Sequence, residues 1–318
     1  MTAGGRASSA RTHAWRFSTR AVGIALLAVV LLGVLAAPIL STGQVAVQHP
    51  DLALAPPSVH RLQLVERLPP TYRALDERVP LTWLDGVVVR GTHASTPLLP
   101  LGGDSLGRDV WTRLLHGGRL SLSLTLAGLA GAVAIGMVAG LLAGSLGGWI
   151  DTALMRVADL FIAWPALYVV LLMRAAMPLS LGFRTAFLLM AGVLALAGWP
   201  VVARAVRGVA ALERTRDHVL AARAAGASSR WIVVRHLLPA VRPVVVTQAL
   251  LLVPAFVLAE ATLSFAGFGF GEPTPSWGTM LREASDAFVL RSAPWLLAPA
   301  IGIALVTLGA TLASDNDR

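Results

Sequence analysis

The sequence contains no cysteine, and its 26 basic residues are all arginine, so lysine is absent as well. Without cysteine there is no disulfide, no thiolate metal site and no cysteine nucleophile, although that absence assigns no compartment. Without lysine there is no P-loop of the GxxxxGK(S/T) type and no Schiff-base chemistry. Any ATP hydrolysis that serves this chain therefore takes place on another polypeptide. Charge of either sign is scarce too. Charged residues make up 14% of the 318, against about 25% in soluble domains, while 56% are hydrophobic and the mean hydropathy is +0.71. So little polar material cannot cover a water-facing surface, and the bilayer is the solvent that fits this composition. The net charge of +9 and pI of about 11.5 would suit a nucleic-acid binder. The arginines, however, flank apolar runs rather than forming a polar face with aromatics, so no nucleic-acid partner is expected.

What is present is long apolar runs. A hydrocarbon core about 30 Å thick is crossed by a helix of about 20 residues. Six runs fit: 21–40, 120–146, 152–177, 185–205, 241–263 and 294–312. They predict an all-α polytopic membrane protein with six transmembrane helices. The first run, at about twenty residues, exceeds the h-region of about 7–15 residues found in a signal peptide. The site at Leu35, Ala36 and Ala37 is followed by Pro38, a poor cleavage context, so 21–40 is read as an uncleaved span. Arginine placement sets the orientation. Arg6, Arg11, Arg16 and Arg20 precede the first span with no acidic residue among them. The stretch 206–242 and its edge carry Arg204, Arg207, Arg214, Arg216, Arg223, Arg230, Arg235 and Arg242 against Glu213 and Asp217. The stretch 41–119 is balanced in charge, and 264–293 is slightly acidic. Both arginine-rich segments fall on the cytoplasmic side if both termini do, and six spans satisfy that parity. The expected organisation is a tail over 1–20, the first span, an external loop over 41–118, a five-span core over 119–312 and a tail over 313–318.

Within the spans, Gly128, Ala132, Gly136, Gly140, Gly144 and Gly148 recur every four residues, a small-residue ridge that lets helix backbones approach closely. Pro165, Pro200 and Pro254 lie in or near spans, where a missing N–H permits a kink, static or gating. Arg156 and Asp159 are three apart and predict an ion pair on one helix face, while Arg174 and Arg184 flank a short outer turn and snorkel to the headgroups. Glu260 has no charged neighbour in its own run. It either lines a solute path or makes a structural hydrogen bond.

The segment 216–239 reads as two short amphipathic helices separated by a turn at Gly226, with Ser228 as N-cap of the second and Pro239 where the next span is about to begin. An arginine-rich loop lying on anionic lipid would explain the arginines but not the small residues. The spacing Ala221-Ala222-xxx-Gly226, nine residues, then His236-x-Leu238-Pro239 resembles the EAA motif of ABC importer permeases, whose peptide branch commonly ends His-Ile-Leu-Pro. The run from Pro100 through Asp104, Gly107, Arg108 and Asp109, continued by Arg113 to Leu122, is similar to the outer-loop signature of C-type dipeptide and oligopeptide permeases. Gly147 to Asp151, Met155 to Asp159, Ala259 to Phe265, and Pro273 to Gly278 with Trp277, extend the likeness in the same order. Leu220 stands where the motif has Glu, Leu99 and Gly103 stand for His and Thr, and the tail 314–318 lacks the common Gly-Asp-x-Leu-Arg-Asp ending.

The resemblance implies a type I (MetI-like) ABC importer permease fold in the bacterial inner membrane and a non-catalytic role. It assigns ATPase coupling to a loop over 206–240 through Asp217, Ala221, Ala222, Arg223, Gly226, Arg235, His236, Leu238 and Pro239. It places Glu260, Asp104, Gly107, Arg108, Asp109 and Trp277 in the translocation path or outer loop. The implied partners are a second homologous permease subunit, two ABC ATPase subunits carrying ATP and Mg, an external solute-binding protein, and membrane lipid. No cofactor or metal is expected on this chain. The rival class is an ion-coupled secondary transporter, for which Glu260 is the one clear midplane candidate.

Overall fold

The structure, a computed structural model, describes residues 5–57, 98–163, 182–267 and 269–315, with side chains from residue 19 onward except that of Asp51. Regular structure among the described residues is helical, with no strand among them, and an isolated antiparallel bridge joins Gly103 to Asp109. In chain order the α-helices are α1 (Gly5–Leu35), α2 (Ala37–Leu40), α3 (Val110–Leu146), α4 (Gly148–Ala163), α5 (Phe183–Glu213), α6 (Asp217–Ala224), α7 (Ser229–Ile232), α8 (Leu238–Phe265), α9 (Trp277–Glu283), α10 (Ala287–Ser292) and α11 (Ala298–Ser314).

Among the described residues, four helical stretches are long and apolar enough to cross a membrane: Val110–Leu146, Phe183–Glu213, Ser229–Phe265 and Pro294–Ser314. They contain the predicted spans 120–146, 185–205, 241–263 and 294–312. The run 21–40 is not one helix. α1 ends at Leu35 and α2 restarts at Ala37, because Pro38 has no N–H to donate to the carbonyl four residues back and its ring crowds that carbonyl, whereas a proline is tolerated in the first turn of a new helix. For 152–177, α4 supplies the first part, and 164–177, with Pro165 and Arg174, lies outside the described residues. Pro200 and Pro254 sit inside uninterrupted helices, and Arg184 lies exposed in the first turn of α5.

The chain divides into two compact units, one of Met1–Leu27, Leu122–Ala259 and Val306–Arg318, the other of Ala28–Ser121 and Glu260–Leu305. In the first unit the glycine ridge of α3 lies against α5. A Cβ at Gly128 would stand 2.7 Å from Leu194 Cβ, one at Gly136 2.6 Å from Val202 Cβ, and one at Gly140 2.5 Å from the Ala203 carbonyl. At Gly144 it would stand 2.7 Å from Ala210 Cβ. Each step along α3 is matched by the same step along α5, so the two helices run parallel. α4 returns antiparallel to α5, with Phe161 edge-on to Trp199 at a 5.6 Å centroid distance and Arg207 forked onto Asp151 at 2.9 and 2.6 Å.

Asp159 is paired with Arg204 of α5 rather than with Arg156. An intrahelical pair is worth only about 0.2–0.5 kcal/mol, so the neighbouring helix takes the carboxylate. α3 ends where Gly147 enters the left-handed region at φ 69°, and Arg214 donates to the Ser145 carbonyl at 3.1 Å, satisfying a helix C-terminus with a cation. At the chain ends of this unit, Gly23 of α1 and Gly309 of α11 cross with no room for a side chain on either.

Close packing at Gly140 generates a direct test. Gly140→Leu should destabilise the purified protein by about 1–3 kcal/mol through overpacking, read as a lower midpoint of thermal unfolding in detergent. Gly192→Leu, where a Cβ meets nothing within 4 Å, should leave that midpoint in place.

Candidate functional site

The predicted site residues fall in two groups. The first is built on the segment between α5 and α8. α5 ends at Glu213, the chain turns through Thr215 and Arg216, and α6 begins with Asp217 in its first turn and carries Arg223 in its last, each charge favourable to the helix dipole. α6 is stopped by a Schellman arrangement. Ala227 N donates to Ala222 O at 3.0 Å and Gly226 N to Arg223 O at 3.0 Å, with Gly226 at φ 87°. A side chain at that φ is strained, which is the reason glycine is needed there. Ser228 then caps α7, its Oγ accepting from Trp231 N at 3.3 Å.

The two short helices and the Gly226 turn are therefore present as the spacing predicts, but the second does not end before the span. Helical structure runs unbroken from Ser229 to Phe265, passing through a π-turn at Val233–Leu237 in which Leu238 N donates to Val233 O. Pro239 accounts for the local widening. It cannot donate to the carbonyl four residues back, and its ring crowds that carbonyl.

Val219, Ile232 and Leu237 are buried and hold this element down. His218 and His236 lie with ring centroids 5.1 Å apart, and Trp231 meets His236 edge-on at 5.2 Å. Glu213 accepts from Arg216 Nε at 3.0 Å and faces His218 Nε2 at 3.0 Å. The opposite side is open. Asp217, Ala221, Arg223, Gly226, Arg235 and Pro239 are exposed, as is Leu220, whereas Ala222, His236 and Leu238 are half-buried. A Cβ on Gly226 would meet nothing within 4 Å.

The second group lies in the unit formed by Ala28–Ser121 and Glu260–Leu305. Asp104 closes a tight turn: its Oδ1 accepts from Leu106 N at 2.9 Å and Arg108 N at 2.8 Å, and its Oδ2 accepts from Arg108 Nε at 2.6 Å. Gly107 sits against the His49 carbonyl with no space for a side chain. Arg108 continues to Glu272 at 2.7 Å, and the buried Arg113 lies 3.4 Å from Asp104 and 3.5 Å from Glu272. Burial alone would lower the Arg108 pKa. The Asp104 carboxylate, with Glu272 and Glu283, more than offsets it and holds the guanidinium above its ordinary value.

Asp109 is the N-cap of α3, accepting from Trp111 N at 3.0 Å and from Thr112 Oγ1 at 2.6 Å, and it also accepts from Thr42 Oγ1. Trp277 is buried, its Nε1 donating to Leu114 O at 3.0 Å and its ring lying against Gly118 and Gly302. Glu260 is fully buried; Ser264 Oγ donates to its Oε1 at 2.7 Å, and Ser121 and Ser276 adjoin the carboxyl. Sequence reasoning passed over Arg113, Glu272 and Glu283 as partners of Asp104 and Arg108. Arg113 stood in the quoted run, but no spacing rule joins it to residues more than 150 positions away.

The comparisons with known proteins bear on this architecture. Residues 136–316 match the family described as the binding-protein-dependent transport system inner membrane component. The chain belongs to that family. This permease is 34% identical over 218 residues to the dipeptide transport system permease protein DppC of Alkalihalophilus pseudofirmus, covering 68% of this chain and 69% of that one. It is 39% identical over 222 residues to a Brucella suis protein named as a candidate peptide transport system permease, covering 68% and 71%. A methionine ABC transporter (MetNI) solved in inward-facing conformations is 22% identical, covers 64% of this chain and 96% of that one, and gives a TM-score of 0.48, below the level that identifies a common fold. Family membership and the apolar helices make the permease a multi-pass membrane protein, and they favour the ABC importer reading over an ion-coupled transporter.

Two tests follow from the buried groups. Asp104→Ala leaves two buried guanidinium groups short of a carboxylate and should cost about 3–5 kcal/mol, whereas Glu272→Gln, at a side chain that is 61% exposed, should stay within about 1 kcal/mol; unfolding in detergent separates them. Glu260→Gln should preserve the Ser264 bond and the yield of assembled complex, and Glu260→Ala should lower that yield. Equal yields and uptake kinetics for both would make Glu260 a bystander.

Proposed function

We propose that this chain is one of two membrane-spanning subunits of an ATP-driven, binding-protein-dependent importer of di- or oligopeptides in a bacterial cytoplasmic membrane, with both termini inside. The observation that carries the reading is the helix, Gly226 turn and helix inserted between α5 and α8, anchored on one side by Val219, Ile232 and Leu237 and open on the other. The peptide assignment is supported by the names of the relatives.

In this reading the open side, centred on Ala221, Ala222 and Gly226, seats in a groove of a nucleotide-binding subunit. Its small side chains permit close approach, and Arg223 and Arg235 offer charge-assisted hydrogen bonds to acidic groups. ATP and Mg are held by two such ATPase subunits. Their closure pushes α6, and the spans rock between inward- and outward-open states. ATP and the loaded binding protein must favour the same state for the cycle to run. The external segments 41–118 and 264–293 receive solute from the binding protein, and a second, homologous permease completes the path. Hydrolysis occurs on the partner subunits.

Ala221→Trp tests the docking without touching the backbone at Gly226. The exposed site tolerates the indole within this chain, so membrane insertion and thermal stability should match wild type while ATP-dependent peptide uptake is abolished. Gly226→Trp should have the same effect on uptake with a local backbone cost added. Wild-type uptake by cells carrying Ala221→Trp would overturn the docking model.

A further inference from the structure

Resting on the transport reading, we infer that His236, clasped by His218 and Trp231, is the positioning residue that ties the coupling helix α6 to both flanking spans. α6 has a turn at each end that can serve as a pivot. At one end is the Gly226 turn, where a Cβ would meet nothing within 4 Å, and at the other the exposed turn at Thr215 and Arg216. A helix of eight residues held only by those pivots would swing when pushed, and its displacement would dissipate.

Side chains close that gap on one side of α6. His218 is fastened to the end of α5 through Glu213 Oε1 at 3.0 Å and lies tilted against His236, the ring centroids 5.1 Å apart and the planes 52° from parallel. His236 sits inside the π-turn at the foot of α8 and is backed by Trp231 of α7 at 5.2 Å. One chain of contacts, Glu213, His218, His236 and Trp231, thus joins the end of α5, the coupling helix, α7 and the root of α8. His236 Nε2 is buried with no hydrogen-bond partner among the described residues. A buried polar atom left without a partner costs stability, so the imidazole is held there by ring packing rather than by a bond at that nitrogen. The π-turn that carries it has one extra residue in its ring and adjoins Pro239, a local register able to change as α8 rotates. A push on α6 is therefore passed through the rings into the base of α8, and through Glu213 into α5.

The test uses the assembled complex in proteoliposomes. Because this chain has no cysteine, Leu188→Cys and Leu251→Cys, both at exposed positions of α5 and α8, place one spin-label pair in it. Wild type and His236→Phe, which keeps a ring, should show the same ATP-driven change in label distance. His236→Ala and the milder His218→Ala should bind the ATPase subunits at wild-type stoichiometry yet lose that change, with uptake of a labelled dialanine per ATP hydrolysed falling about tenfold. The inference fails if His218→Ala behaves as wild type, or if His236→Phe is as uncoupled as His236→Ala, since ring packing would then not be the tie. A wild-type chain that retains no ATPase subunit would count against the transport reading instead.

Discussion

Everything in the first unit follows from how closely α3 and α5 approach. Gly128, Gly136, Gly140 and Gly144, with Ala132 among them, leave α3 almost without side chains on one stripe, and the carbonyls and Cβ atoms of α5 occupy the space. In a lipid solvent there is no hydrophobic gain in bringing two apolar helices together, so close van der Waals contact must hold them. That contact fixes the register of α5. It places Arg207 against Asp151 and Arg214 on the Ser145 carbonyl at the end of α3, and it sets where α5 ends at Glu213 and the chain turns into α6.

Charge is handled in two distinct ways. Around Asp104, carboxylates and guanidinium groups are buried together, and their value is conformational. A buried pair contributes little net stability over an apolar substitute, but losing one member is severe, so the network allows a single arrangement of the 98–113 loop against Glu272 and Glu283. On the 216–239 element the arginines stay exposed, where an ion pair within the chain, such as that of Arg216 with Glu213, is worth little. The same residue type thus fastens one segment and stays solvent-facing on the other.

The helical character, four of the apolar spans and the Gly226 turn were legible before any coordinates, because hydrophobic run length, the special φ of glycine and the capping preference of serine are local properties. Local rules misled where a competing partner lay elsewhere in the chain. Asp159 has Arg156 one turn away yet pairs with Arg204, because α5 delivers a guanidinium to the same spot. Pro239 looked like the start of a new element, and instead a π-turn carries the helix past it. Within 21–40 the helix breaks at Ala36, two residues before Pro38, a local effect that run length does not register.

Composition alone determined that this polypeptide suits a bilayer and carries no lysine-containing P-loop, since the absence of lysine and the shortage of charge are independent of folding. Tertiary structure decided which face of the 216–239 element is anchored, which residues meet Asp104 and Arg108, and what His236 touches. Those contacts join residues far apart in the chain, and no periodicity in the sequence encodes a distance between helices.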